Sequence, residues 1–457
     1  MGRTQRKRKR IKSRSFHKCD GETKLIQLNS WLSKEGVRRN HKLILAVFDD
    51  TGRGVLTNKK ISAGEELITL PINSTINVIT ILSDIPFRSI FSRNNECLLK
   101  FKASVSFQSL LAFYLSYLKL RGARTKWFIY LNSLPEEYTV PYFLHKDIQN
   151  NLDADIFSII SKQKVIIQNS YYIFENILRT CVCDDNFIQL LRRNFNLKLY
   201  EWAYFTVNTR CVYMDLTNVL DLKNIQCTLL SLVNDNTKIS LCPYLDMINH
   251  SPNSRNETKL MIPKDFPSVD IINLHQEFFS DVWFSIYTKN NFDPFTQVFI
   301  CYGDSHNLKL ITEYGFFLPN NELDCVLFSY ENIINFLSLN SFKLSQDQSS
   351  FVDSHGLNKD LYIDFRGLSF NLYGLLMVVK YYYDDTIDVS RLIYSAAVGS
   401  YNKDLNDMIK PMIKNKLDEI KKSIKTLINY QNKCVIIDNC VGLMSQYVNI
   451  LEKFIKC

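Results

Sequence analysis

No Cys-x-x-Cys occurs among the 12 cysteines, and the closest pair, Cys181-Val-Cys183, has no histidine beside it. That argues against a zinc site of the usual ligand spacing, and scattered thiols of this kind fit small buried hydrophobes in a reducing compartment. No apolar run reaches the length of a membrane-spanning helix, because Asn, Lys or Asp interrupts each one. The N-terminus lacks the apolar core of a secretory signal. It also lacks acid: residues 1–18 hold nine Lys or Arg and no Asp or Glu. Without those nine, the 55 basic residues become 46, equal to the 46 acids, so the net charge of +9 resides in the tail and the body is neutral. That balance excludes a nucleic-acid footprint over the whole surface, but not a local one at the tail. No internal repeat is evident.

What is present supports a sizeable core. Hydrophobic residues make up 46% and charged residues 22% of 457 residues, more than one core normally holds, so two or three domains are expected. Residues 1–20 read as a basic, disordered arm. Within it Arg6-Lys-Arg-Lys-Arg10 resembles a nuclear localisation signal, with a generic polycationic tail as the plain alternative. The expected location is therefore nucleus and cytoplasm, with importin or nucleic acid as the tail's partner.

Residues 22–35 have the spacing of a helix, with Leu25, Leu28, Trp31 and Leu32 on one face and Gly36 as its stop. Short strands follow: 43–48, a turn at 49–54, extended chain at 55–57, and a turn then strand over 61–71 closed by Pro71. From about 76 to 215 the pattern is mainly helical, with Phe107, Leu110, Leu111, Tyr114, Leu115 and Leu118 forming one strong face. Residues 127–135 interrupt it as an aromatic-rich connector. Strand signals return at 241–248, 269–287 and 297–302, which makes a β region interrupted by a long helical insert. Residues 305–317 predict a helix closing on Tyr314-Gly315-Phe316-Phe317. From 325 to the end the chain reads as a separate helical domain, with Pro411 placed to open a helix at its first turn.

Four short segments carry candidate chemistry. Gly52-Arg53-Gly54 reads as a tight turn whose glycines let backbone approach a ligand. Arg210 lies near the end of an apolar helix and needs an anion, either a ligand carboxylate or an internal acid such as Asp246. Asn249-His250 ends the apolar run 241–248, as a structural knot or as a ligand-facing edge. Tyr302 ends a strand beside Gly303 and can present its hydroxyl to a pocket.

In order and spacing, Thr51-Gly-Arg-Gly54, Gly64-Glu-Glu-Leu-Ile-Thr-Leu-Pro71, Asp246-Met-Ile-Asn-His-Ser251, Tyr302-Gly303 and Glu313-Tyr-Gly-Phe316 resemble SET-domain protein lysine methyltransferases. The long helical insert and the segment 127–141 are similar to the Rubisco large-subunit methyltransferase group. The resemblance implies an α+β fold: a split SET domain over 21–320, with small curved β-sheets and a pseudoknot, carrying a helical insert at about 76–240. An all-α substrate-binding domain would follow at 325–457. It further implies S-adenosylmethionine as cofactor, held by Thr51, Gly52, Arg53, Gly54, Arg210, Asp246, Asn249, His250 and Tyr302. Tyr302 would be catalytic, and Tyr314, Phe316 and Phe317 would line the substrate channel. The implied partner is a protein substrate, with a histone tail expected, for a monomer that needs no metal and no membrane. Histidine methylation, as other members of the group perform, and a non-enzymatic chromatin adaptor stand as alternatives.

Overall fold

Runs of apolar and β-branched residues stopped by Asp, Asn, Gly or Pro fold into short strands. In chain order these are β1 (Phe16–Lys18), β2 (Arg38–Arg39), β3 (Leu43–Phe48), β4 (Gly52–Thr57), β5 (Glu66–Pro71), β6 (Cys211–Tyr213), β7 (Ile239–Leu241), β8 (Asn249–His250), β9 (Asn256–Met261), β10 (Trp283–Thr288), β11 (Gln297–Ile300), β12 (Cys325–Leu327), β13 (Tyr362–Asp364) and β14 (Gly367–Leu368). The computed structural model describes residues 16–19, 21–92, 97–182, 185–220, 227–266, 275–394, 402–430 and 434–456. The chain divides into two units, Met1–Tyr138 with Val165–Asp304, and Thr139–Lys164 with Ser305–Cys457.

In the first unit one sheet has the order β1-β3-β4-β11-β8, a second has β2-β5-β10-β9, and β6 pairs with β7. Residues 1–15 of the expected arm lie outside the described residues. The remainder corrects the expectation, because Phe16–Lys18 is a strand that adds an edge to β3 with Phe16 opposite Phe48. The cause is apolar: the Phe16 ring sits 5.9 Å from that of Phe48, and Cys19 is buried. The turn before β4 is also shorter than expected. Gly52, Arg53 and Gly54 belong to the strand, opposite Phe48, Val47 and Ala46.

The helical insert has its own aromatic core. Ser106 caps the helix Phe107–Arg121 by accepting from the Ser109 amide. Phe113 stacks on Phe174 at 4.4 Å, and the Tyr200 hydroxyl donates to the Ser109 carbonyl at 3.2 Å. Tyr200 belongs to the helix Leu197–Arg210, so this packing fixes where that helix ends and Arg210 begins to act.

Two strand expectations need correction. The stretch 241–248 is mostly not extended: β7 ends at Leu241 and Leu245–Met247 forms a 3-10 turn. The break comes at Tyr244, whose φ of 74° lies in the left-handed region. Of 269–287, residues 269–274 lie outside the described residues and the strand begins at Trp283. β9, by contrast, arises from the polar sequence Asn-Glu-Thr-Lys-Leu-Met, at the edge of its sheet where most side chains are not buried.

The second unit is built around buried Ile156, Ile160, Leu376, Ile413, Ile420, Leu443, Met444 and Leu451. It is not all helical, since β12, β13 and β14 form an antiparallel sheet packed into it. Residues 139–164 belong here by specific contacts: Lys416 reaches Asp153 at 2.9 Å, both nearly buried. Pro411 does not open a helix but sits inside Asn402–Ile428. The helix continues through it, because Leu405, Ile409, Ile413, Leu417 and Ile420 on one stripe are buried before and after the proline. Gly315, at φ 81°, closes against Thr139, where a Cβ would stand 2.6 Å from the threonine Oγ1.

Candidate functional site

The central pair of β4 and β11 positions most of the site. β11 runs antiparallel to β4, with Val298 opposite Val55, and parallel to β8, with Phe299 opposite Asn249 and Ile300 opposite His250. Three segments distant in sequence therefore end side by side: the start of β4, the Asn249-His250 pair, and the residues after β11.

Asn249 acts as a clamp. Its Nδ2 donates to the Arg53 carbonyl at 3.1 Å and to the Thr51 carbonyl at 3.5 Å. Gly52 between them has φ 69° and open space above its Cα. Gly54 serves a different need, close approach. A Cβ there would stand 2.8 Å from Asn249 Nδ2 and 3.2 Å from Phe48 Cε2, and would also run into Gln297 Nε2. Gly54→Ala is therefore expected to push Asn249 off the Arg53 carbonyl and to cost about 1–3 kcal/mol of stability, measured as a lower urea midpoint. An unchanged midpoint would show that Asn249 does not clamp the start of β4.

His250 is buried and accepts the Tyr302 backbone N–H at Nδ1, 3.0 Å away. That bond requires Nδ1 to be unprotonated, so a neutral ring carries its proton on Nε2. Burial holds the imidazole below its ordinary pKa, with Asp304 working against the shift. The Tyr302 hydroxyl donates to the Ile248 carbonyl at 2.8 Å, and its ring lies 5.2 Å from that of His250. Main chain and side chain of Tyr302 are thus both tied to the Ile248–His250 segment.

Arg210 meets Asp246. Its Nη1 reaches Asp246 Oδ2 at 3.2 Å and the Asp246 carbonyl at 3.1 Å. The Asp246 side chain has no exposed surface, and the Tyr130 hydroxyl donates to the same Oδ2 at 3.0 Å. Burial pushes the Asp246 carboxyl up, against the pull of Arg210 and Tyr130. Burial is the largest single influence on Arg210 and opposes its charge, but Asp246 together with Tyr138, Tyr130 and Tyr302 outweighs it and raises its pKa. Neither group is saturated: Arg210 Nε and Asp246 Oδ1 are buried without a hydrogen-bond partner.

Of the residues expected in the site, Thr51, Gly52, Arg53, Gly54, Arg210, Asp246, Asn249, His250 and Tyr302 all lie in the first unit. Tyr314, Phe316 and Phe317 belong to the second. There the rings of Tyr314 and Phe316 are 6.2 Å apart, and Phe317 lies against Gly442, where a Cβ would meet it at 2.9 Å. Residue-type reasoning missed several supports. Gln297 accepts from Thr51 Oγ1 at 2.9 Å, the Ser133 carbonyl holds Arg53 Nη1 at 2.7 Å, and Tyr130 holds Asp246. Ser133 and Tyr130 come from the aromatic connector 127–135, whose composition was the available signal.

No protein-family model matches the chain. Among solved structures, the SET domain of LSMT bound to lysine and AdoHcy superposes with a TM-score of 0.60, at 17% identity, covering 96% of this chain and 91% of that one. The fold is that of the SET domain of Rubisco LSMT. In sequence, the chain is 27% identical to mouse SET domain-containing protein 4 over 374 residues, 81% of this chain and 76% of that protein. It is 24% identical to the ribosomal lysine N-methyltransferase set11 of Schizosaccharomyces pombe over 415 residues, 87% of this chain and 89% of that protein. The actin-histidine N-methyltransferase of Drosophila melanogaster is 23% identical over 350 residues, 73% of this chain and 56% of that protein. Among the described residues, no group of three or more His, Cys, Asp or Glu could hold a metal ion, and no helix is long and apolar enough to cross a membrane.

Proposed function

We propose that the chain is an S-adenosylmethionine-dependent protein methyltransferase, with lysine as the acceptor and a histone tail among its substrates. The observation that carries this reading is the convergence of Gly52, Asn249, His250 and Tyr302 at the ends of β4, β8 and β11, on the fold of a SET domain. The residues fit the cofactor in two respects. Gly52 leaves its backbone open at a left-handed φ, and buried Arg210 keeps an unsatisfied Nε suited to a carboxylate. The bound donor supplies a sulfonium methyl group for in-line displacement.

This chain's part is positioning. Thr51 to Gly54, clamped by Asn249, offers backbone to the donor's amino group, and no described residue donates to Asn249 Oδ1. His250, held neutral, offers an uncharged edge to the adenine. The Tyr302 hydroxyl, oriented by the Ile248 carbonyl, retains acceptor capacity for an amine N–H. Holding reactants in line supplies much of the acceleration for such a transfer. The lysine must attack neutral although its free pKa is about 10.4, and a dry site beside a cation lowers that value. A histidine acceptor is the second reading, favoured by the Drosophila relative's name. The basic arm would carry the protein into the nucleus.

Titration of the full chain with S-adenosylmethionine in a calorimeter is expected to give saturable binding, and its absence would sink the enzyme reading. Mass spectrometry of histone peptides, nucleosomes and ribosomal proteins after reaction then identifies the acceptor. Methyl-histidine as the sole product would replace lysine by the second reading.

A further inference from the structure

The first unit also contains a cavity of about 390 Å³ whose lining includes Thr80, Ser83, Arg121, Arg124, Thr125 and Lys126. None of these takes part in the arrangement around Tyr302. Its size falls in the range of small-molecule sites.

The charges at this cavity are unbalanced. One carboxylate, Asp84, lines it, but that group is already engaged. Asp84 accepts from the hydroxyls of Tyr114 and Tyr117 at 3.2 and 3.5 Å and from the Phe87 amide at 3.0 Å, and it pairs with Arg121 Nη1 at 3.3 Å. Burial raises its pKa, against the pull of the Phe87 amide, Arg121 and the two tyrosine hydroxyls. On the positive side, Arg121 and Arg124 place their guanidiniums over the same ring, that of Phe187, at 4.6 and 5.6 Å from its centroid. Two like charges over one ring repel, and stacking offsets only part of that cost. The nearby Asp185 offsets it only at a distance, since it caps the Phe187 and Ile188 amides through Oδ1 and forms no ion pair with either arginine.

Donors remain available. Arg121 Nε is buried without a hydrogen-bond partner, and Arg124 makes no ion pair with any described residue. The Thr125 hydroxyl accepts from the Trp127 amide at 3.4 Å, so its own proton is there to give. Lys126 is held on the Asn73 carbonyl at 2.8 Å, with Glu35 as far as 3.9 Å. The Arg124 guanidinium, the Arg121 nitrogens not engaged by Asp84 and the Thr125 hydroxyl form a donor set for tetrahedral, doubly charged oxyanions.

We propose that this cavity binds the phosphate group of a small phosphate monoester, with Arg121 and Arg124 as the clamp and Thr125 as a third donor. A carboxylate would leave part of the positive charge unmatched, and the cavity is larger than a free ion requires. The site is independent of the methyl-transfer reading, because it shares no residue with the proposed cofactor cradle.

The test is calorimetry of the full chain with inorganic phosphate and, separately, with ribose 5-phosphate. Saturable binding of both is expected, with the ester tighter. Arg124→Ala should weaken each by roughly tenfold, as loss of a charged hydrogen bond does. Arg124 is exposed, so the substitution spares the core, and Arg121→Lys should keep the fold while losing the fork. Phosphate held by the basic arm would not respond to Arg124→Ala, since the arm is unchanged. Equal affinity for the free ion and the ester would assign the site to phosphate alone and overturn the ester. No saturable binding, or affinity untouched in Arg124→Ala, would overturn the site. S-adenosylmethionine affinity in the same variant should equal wild type; its loss together with phosphate binding would mean the variant damages the unit, and the Arg121→Lys result then decides.

Discussion

Tyr302→Phe is expected to lower methyl incorporation into a protein substrate by about 10²-fold or more while S-adenosylmethionine affinity stays within about twofold. The two effects separate because Tyr302 is attached to the site twice. Its backbone N–H donates to His250 Nδ1 at 3.0 Å, and that bond survives the substitution. Its hydroxyl donates to the Ile248 carbonyl at 2.8 Å, and that bond is lost with the oxygen. The ring, 5.2 Å from His250, is kept. The cradle should therefore persist while the oxygen that orients the acceptor disappears. Radiolabelled methyl incorporation measures the first quantity and calorimetry the second. Transfer at the wild-type rate would show that the hydroxyl is no part of the chemistry. Parallel loss of transfer and cofactor affinity would make Tyr302 a structural support of His250.

Much of the fold was legible because helical periodicity is a local signal. Leu25, Leu28, Trp31 and Leu32 are the buried face of Thr23–Lys34, as their spacing requires. The face from Phe107 to Leu118 is buried in the same way. What failed depended on distant partners or on single backbone torsions. No period announces the left-handed Tyr244, yet it replaces the end of an apolar run by a turn and leaves only Asn249 and His250 as strand. β9 forms from polar residues because β10 beside it supplies the pairing, Ser285 opposite Lys259. Residues 139–164 look like more of the insert until Lys416, more than 250 residues on, is seen to pair with Asp153. Phe16, at the end of a run of arginines and lysines, is claimed by Phe48.

The site was legible in its parts and less so in its links. Motif order singled out Asn249, His250, Tyr302 and Gly52 without showing what each touches. The Asn249 amide turned out to hold the backbone of Thr51 and Arg53, and His250 the backbone of Tyr302. These bonds run through main-chain carbonyls and amides, which every residue has and which composition cannot flag. Gln297 shows the same limit: its place beside Thr51 and Gly54 follows from the register of β11 on β4.

Arg210→Leu is expected to cost about 3–5 kcal/mol of stability at neutral pH, because it leaves a buried carboxylate without its counter-charge. Asp246 has no exposed side-chain surface, and its remaining partner on Oδ2 would be the Tyr130 hydroxyl. The deficit should depend on pH with a definite sign. Burial already raises the Asp246 pKa, with Arg210 as the largest opposing influence. Removing Arg210 raises it further, so the folded variant binds a proton more readily than the unfolded chain does. Stability arising from that proton is present below the unfolded pKa and is lost as pH rises through the folded one. The gap between variant and wild type should therefore narrow as pH falls from neutrality toward the carboxylate range. A gap that is constant with pH, or that widens on acidification, would rule out a stranded carboxylate as the cause. The double variant Arg210→Leu with Asp246→Leu provides the second check. Replacing both members of a buried pair by apolar groups costs less than breaking it. It should unfold at a higher urea concentration than Arg210→Leu alone, while a lower midpoint would mean that Asp246 stabilises the fold through Tyr130 more than through Arg210.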